Sequence, residues 1–129
     1  MIIQDKNNLI GTARDAAGEG WTSLRLLVKS DGMGFSMTQT TVLPGAVLRL
    51  QYKNHIEACY CIGGRGVVRE VNSGIEHDIS AGVLYAPNMH EKHEVHVPIG
   101  GEALHLICVF SPALQGDEVH GPDGSYAAS

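Results

Sequence analysis

Two stretches of the chain concentrate the side chains able to bind a cation or move a proton. Residues 52–63 read Tyr52-Lys53-Asn54-His55-Ile56-Glu57-Ala58-Cys59-Tyr60-Cys61-Ile62-Gly63, and residues 82–93 run from Gly82 through Tyr85 to His90-Glu91-Lys92-His93. Carboxylate, phenol, thiol and imidazole are donors for borderline divalent ions, and ligand type narrows the metal without fixing it. A third stretch lies near the C-terminus, where Asp117, Glu118 and His120 stand together among glycines and prolines. Histidine titrates near neutrality, so His120 with Glu118 and Tyr52 makes a set for general acid–base work. Each group also has an ordinary reading: Tyr85 as a half-buried strand residue, Glu57 as a strand-end charge, His93 as a hydrogen-bonded core histidine. Glu118 and His120 resist that reading most, because a polar pair in a glycine-rich tail has no evident structural task.

The elements that would position these groups are strands. From residue 35 onward the apolar residues alternate, as in Leu48, Leu50 and Tyr52 interleaved with polar neighbours, and a period of two is the strand signature. Pro44-Gly45, Gly63-Gly64, Asn72-Ser73-Gly74, Ala81-Gly82 and Gly100-Gly101 punctuate the pattern. Strands are predicted over 35–43, 46–53, 58–62, 65–71, 75–79, 83–86, 92–97 and 103–110. Such a series of short strands in so few residues points to an all-β fold, a closed or double-sheet antiparallel barrel that leaves few exposed edges. Residues 12–17 predict one turn of helix, and the alternation of Leu24, Leu26 and Val28 predicts an edge strand. Residues 111–129 lack core formers and read as a mobile tail able to fold over the barrel opening.

The chain has 129 residues, 43% hydrophobic and 18% charged, which bounds it to one soluble domain spanning 1–129. Three cysteines, Cys59, Cys61 and Cys108, are too few for a disulfide scaffold and include no C-x-x-C pair. With no apolar leader or membrane span in the pattern, a reducing, cytoplasmic setting is expected. Residues 1–64 carry six basic and five acidic groups, whereas residues 65–129 carry three and nine. That acidic half argues against nucleic acid and anionic lipid as partners and leaves a small molecule or another subunit.

The two motif stretches resemble those of the cupin superfamily, which implies a jelly-roll-like antiparallel barrel. Glu57, Tyr60 and Gly63 fall where the first cupin motif has its glutamate, aromatic residue and turn glycine, and Gly82 and His93 fill the second motif. The histidine pair that usually precedes the glutamate is missing, since His55 is the only histidine there. Tyr85, alternating with Val83, is the substitute expected to turn inward. The implied ligand set is Glu57, Tyr85 and His93, with Fe2+ favoured and Zn2+ or Mn2+ as substitutes.

Read with their flanks, the segments resemble a narrower family, ectoine synthase. The residues that carry this are Arg25-Leu26-Leu27, Asp31-Gly32-Met33-Gly34-Phe35-Ser36, Thr40-Thr41, Cys108-Val109-Phe110 and the run from Gly116 through Glu118-Val119-His120 to Tyr126. The resemblance spans about Trp21 to Tyr126. It implies an iron-dependent, dimeric enzyme that closes N-γ-acetyl-L-2,4-diaminobutyrate into the ring of ectoine with loss of water. It also implies a substrate pocket lined by Trp21, Ser23, Thr40, Tyr52, Cys108, Phe110, Glu118 and His120. Trp21 and Phe110 would form walls, Ser23 and Thr40 would hold the carboxylate, and Tyr52, Glu118 and His120 would move protons. The chain departs from the family at Leu24, in its first ten residues, and in a longer stretch at 97–103 expected to lengthen a hairpin. An oxygen-using iron cupin and a non-catalytic solute-binding cupin are the rival readings.

Overall fold

The computed structural model describes residues 1–128. The alternating pattern is realised as ten strands: β1 (Asp15–Gly18), β2 (Trp21–Leu27), β3 (Ser36–Val42), β4 (Val47–Leu50), β5 (Ile56–Gly63), β6 (Arg65–Glu70), β7 (Glu76–Ser80), β8 (Leu84–Tyr85), β9 (His93–His96) and β10 (Leu104–Ser111). They form two antiparallel sheets, a six-stranded one ordered β1-β2-β3-β10-β5-β8 and a four-stranded one ordered β4-β9-β6-β7. Helical structure among the described residues is limited to the 3-10 turns Lys6–Asn8 and Lys29–Asp31. No helix there is long and apolar enough to cross a membrane.

Period two decides which side chains go inside. On β10, Leu104, Leu106, Cys108 and Phe110 are buried while their neighbours are less so, and on β5 the buried set is Glu57, Cys59 and Cys61. The two sheets press these faces together around Val42, Leu50, Val68, Ile79, Val95, Leu104 and Leu106. Polar residues thus occupy inward positions in the middle of an apolar core. That is costly unless each finds a partner.

Four sequence expectations are corrected. The helical turn at 12–17 is reduced to one turn hydrogen bond, Asp15 N–H to Thr12 O, after which Asp15–Gly18 is strand β1. Alanine's helix preference loses to the β2 ladder, whose register pairs Ala16 with Ser23 and Ala17 with Thr22. β2 is therefore covered, and β1 is the edge. The strand expected over 46–53 stops at Leu50, because the Gln51 amide donates to Gly124 O and the Lys53 amide to Ser125 Oγ instead of continuing the sheet. Finally, 97–103 is no hairpin: β9 and β10 lie in different sheets, so this segment is a crossover, with the Gly101 amide donating to Pro98 O.

The tight turn between β5 and β6 depends on Gly64. Its φ is +75°, and a Cβ there would stand 1.8 Å from the Ala103 carbonyl oxygen. Gly64→Ala should destabilise the fold by upwards of about 3 kcal/mol in urea unfolding, through a backbone clash added to left-handed strain. Gly11→Ala is the matched control: φ is +78° but nothing lies within 4 Å, so about 1 kcal/mol is expected.

Candidate active site

Strand register assembles the polar residues. Tyr85 pairs with Cys59, Cys59 with Cys108, Cys108 with Thr38, and Thr38 with Arg25, so one row crosses β8, β5, β10, β3 and β2. Directly opposed residues of one face are close enough to touch. In the inward row on one side of it Phe110 pairs with Glu57, and in the row on the other side Leu106 pairs with Thr40 and Thr40 with Ser23. His93 comes from the other sheet, opposite Leu50 and Glu70. Its ring lies 6.2 Å from that of Tyr85 and 6.3 Å from that of Tyr52.

Two of these groups lack partners. His93 uses Nδ1 on the Glu91 carbonyl at 2.9 Å, which requires the proton there, and its buried Nε2 has no hydrogen bond. Glu57 is 5% exposed, and its Oε1 is likewise unpartnered. Burial pushes the Glu57 carboxyl up to about 7 although Cys59 hydrogen-bonds it. Burial, with Cys59, Glu57 and Cys108 around it, drives the Tyr85 phenol well above its ordinary value. Buried acceptors aligned by a backbone bond and left bare fit a cation, whose charge would offset the cost of ionising Glu57 and Tyr85.

The tail packs over this region. His120 Nε2 accepts from the Tyr52 hydroxyl at 2.7 Å, and its ring stacks on Tyr126 with centroids 4.5 Å apart. Trp21 meets His120 edge-on at 5.0 Å. Burial, reinforced by the positive charges of Arg25 and His93, holds the His120 imidazole down to about 4, so it is neutral near pH 7. Burial raises Tyr52 well above its usual range, which keeps the phenol protonated, and with the His120 proton on Nδ1 the phenol is the donor of that bond.

Glu118 has a structural task that sequence did not reveal. Its two carboxylate oxygens accept the Gln115 and Gly116 amides at 2.7 Å each, and its carbonyl accepts from Arg25 Nη2 at 3.0 Å. Arg25 itself was missed. It is 1% exposed, donates from Nε to Ser23 Oγ at 3.0 Å, and keeps Nη1 unbonded 3.8 Å from Glu118 Oε1. Its inward position follows the alternation Trp21, Ser23, Arg25, the signal that could have found it. His55 was passed over as a misplaced motif residue; it is 1% exposed, flanked by Phe110 and Tyr126, with both ring nitrogens unpartnered.

Trp21, Ser23, Thr40, Tyr52, Glu57, Tyr85, Cys108 and Phe110 line one internal cavity of about 30 Å³. Its Thr40 hydroxyl donates to Ser23 Oγ at 3.2 Å. His120 and Glu118 sit above it in the tail. His93 faces a wider hollow of about 560 Å³ on the other side of Tyr85, whose walls include Glu70, Glu76, Asp78 and Glu91. The remaining histidines have partners of their own: His77, on the wall of that hollow, bonds Glu70, His96 bonds Glu94, His105 bonds Thr41, and His90 bonds the Tyr52 carbonyl.

Comparison with known proteins places the chain as a whole. The family described as ectoine synthase matches residues 1–129, including the first ten, which pattern alone had left out. The L-ectoine synthase of Desulfosudis oleivorans is 47% identical over 126 residues, covering 98% of this chain and 96% of that one. The crystal structure of ectoine synthase from P. lautus aligns with a TM-score of 0.84 at 38% identity, over 90% of this chain and 81% of the other. An RmlC-like cupin from Shewanella frigidimarina shares the fold alone, with a TM-score of 0.61 at 20% identity over 77% and 82% of the two chains.

Two of the shifted groups, Glu57 and His120, titrate with opposite signs. Glu57, raised from 4.5 to about 7, holds a proton in the folded state that the unfolded chain releases; its contribution is complete below pH 4.5 and is lost as pH climbs through 7. His120, lowered from 6.5 to about 4, contributes above pH 6.5 and loses that contribution as pH falls through 4. Each amounts to about 3 kcal/mol, so over this window they nearly cancel. In metal-free protein, Glu57→Gln should expose the His120 dependence as a loss of about 3 kcal/mol on acidification. His120→Phe should expose the reverse, a loss as pH rises, both read by urea unfolding at successive pH values.

Proposed function

The chain belongs to the ectoine synthase family, and from that membership we infer that it is a hydro-lyase closing N-γ-acetyl-L-2,4-diaminobutyrate into ectoine. The observation that carries this reading is the pair of bare buried atoms, Glu57 Oε1 and His93 Nε2, beside the Tyr52–His120 hydrogen bond. In the reaction the α-amine of the substrate attacks its own acetyl amide carbon, forming a ring carbinolamine that then loses one water. Glu57, Tyr85 and His93 are the residues to hold Fe2+, with Zn2+ or Mn2+ as substitutes; when bound, the ion supplies Lewis acidity toward the amide oxygen.

The rest of the chemistry falls to the protein. Because nucleophile and electrophile belong to one molecule, holding them in near-attack geometry replaces up to roughly 7–11 kcal/mol of barrier in the best intramolecular cases. Trp21 and Phe110 wall the chain into a bend, the Ser23 hydroxyl donates to the carboxylate and Thr40 joins it by turning its own proton from Ser23 to the substrate, and Cys108 packs against the closing ring. Tyr52 and His120 form the proton-handling couple: the unprotonated Nε2 of the imidazole can take the proton shed by the attacking amine and pass it to the phenol, as the phenol gives its own proton to the departing hydroxyl. Glu118 completes the set beside Arg25, joining the transfer once its backbone amides release it. A cavity of about 30 Å³ is room for little more than one water, so substrate access calls for the tail after β10, from Pro112 onward, to lift. Ectoine is a compatible solute made under osmotic stress. A cytoplasmic homodimer acting on a small molecule, without nucleic acid or membrane partners, completes the reading.

Purified protein loaded with Fe2+ should convert the acetylated diamine to ectoine, followed by NMR, and chelation should stop it; no turnover by metal-loaded, full-length protein overturns the assignment. Glu57→Ala and His93→Ala should each cut iron retention and turnover more than about a hundredfold while the barrel stays folded. Truncation before Gly116 should abolish turnover yet leave iron retention largely intact, which separates the tail's role from that of the ligands.

A further inference from the structure

The polar row contains more donors than Glu57, Tyr85 and His93 account for. Cys59 and Cys108 face each other across β5 and β10, with the Cys59 thiol donating to Cys108 Sγ at 3.4 Å. A Glu57 carboxylate oxygen and both sulfurs lie within 4.8 Å of one another, and the three residues are 5%, 1% and 2% exposed. Tetrahedral zinc has bonds of about 2.3 Å to sulfur and about 2.0–2.2 Å to oxygen, which sets neighbouring donors roughly 3.5–3.8 Å apart. The two sulfurs are already near that spacing. Glu57 Oε1, buried and unpartnered, supplies an unsatisfied acceptor of the same residue. His93 lies outside the triad, and Cys61 is turned to a different task, donating to the Gly63 carbonyl at 3.3 Å.

We propose that Glu57, Cys59 and Cys108 form a second, thiol-bearing cation site for a thiophilic ion such as Zn2+ or Cd2+, sharing Glu57 with the Glu57, Tyr85 and His93 set. Thiolate donors select such ions, whereas carboxylate, phenolate and imidazole donors serve harder ones, so the two sets differ in preference although they adjoin. Binding involves no redox step: each coordinating thiol loses its proton to solvent as the sulfur–metal bond forms. Glu57 and Cys108 both line the small internal cavity beneath the tail, so the site opens onto enclosed space and not onto packed side chains alone. A thiophilic ion seated on the sulfurs draws Glu57 away from His93, so it opposes occupation of the neighbouring set. This site stands on the triad alone and does not depend on the cyclisation reading.

The test titrates metal-free, phosphine-reduced, full-length protein with Cd2+ alone and with Co2+ alone and reads thiolate-to-metal charge-transfer absorption. The expected result is such a band saturating at one ion per chain, retained in Cys61→Ser and in folded His93→Asn, and lost in Cys59→Ser/Cys108→Ser. Wild-type protein that binds neither ion, or binds one without the band, overturns the proposal. So does a band that survives the double substitution or follows Cys61. Because the readout is absorption and not turnover, failure here leaves the cyclisation untouched, and failure of cyclisation leaves this result standing.

Discussion

Everything at the centre of this protein depends on the antiparallel register of five strands. Once Cys108 is set against Cys59 and Thr38, the ladder leaves no freedom in where Tyr85 and Arg25 fall, because each step along the row is fixed by backbone hydrogen bonds. A slip of one residue on β10 would turn Leu106, Cys108 and Phe110 outward and bring the Ile107, Val109 and Ser111 side chains inward. The reactive groups are therefore held by the same bonds that hold the sheet. Precision at the site needs no separate device.

That arrangement concentrates unfavourable burial in one place. Arg25, His55, Glu57 and His93 all sit in the core with at least one polar atom unpartnered. Buried polar groups without partners destabilise a fold, and apolar replacements of equal volume would pack better. The surrounding hydrophobic shell offsets that cost: Val42, Leu50, Val95, Leu104 and Leu106 enclose the polar row from both sheets. Four bare polar residues converging within one shell mark a place where ligands, and not the protein itself, complete the hydrogen bonding.

How much of this was legible in the sequence follows from the range of each interaction. The strands from residue 35 onward declare themselves because alternation is local, and most were placed within two residues of their ends. β1 did not, since Asp15-Ala16-Ala17-Gly18 carries no alternating apolar pattern and takes its conformation from β2. Arg25 was hidden twice: its type argued for the surface, and the apolar alternation of Leu24, Leu26 and Val28 pointed to the other face of the strand. The Tyr52–His120 bond joins residues 68 apart in sequence, and no spacing rule reaches that far. The Cys59–Cys108 contact emerges only when β5 and β10 are aligned. Family resemblance supplied the residues that local pattern could not, but it did not show that Glu118 anchors its own turn.

The shortest strand has the most to carry. β8 comprises only Leu84 and Tyr85, lies at the outer end of its sheet, and is flanked by single bonds between Cys61 and the Gly82–Val83 segment. Sheet margins this slight fray far more readily than central strands, on a scale set by local opening and not by global unfolding. Were Tyr85 to grip an ion as proposed, its hold would be governed by how often two residues peel from a border, while Glu57 on β5 and His93 on β9 stay in place and the surrounding barrel stays shut.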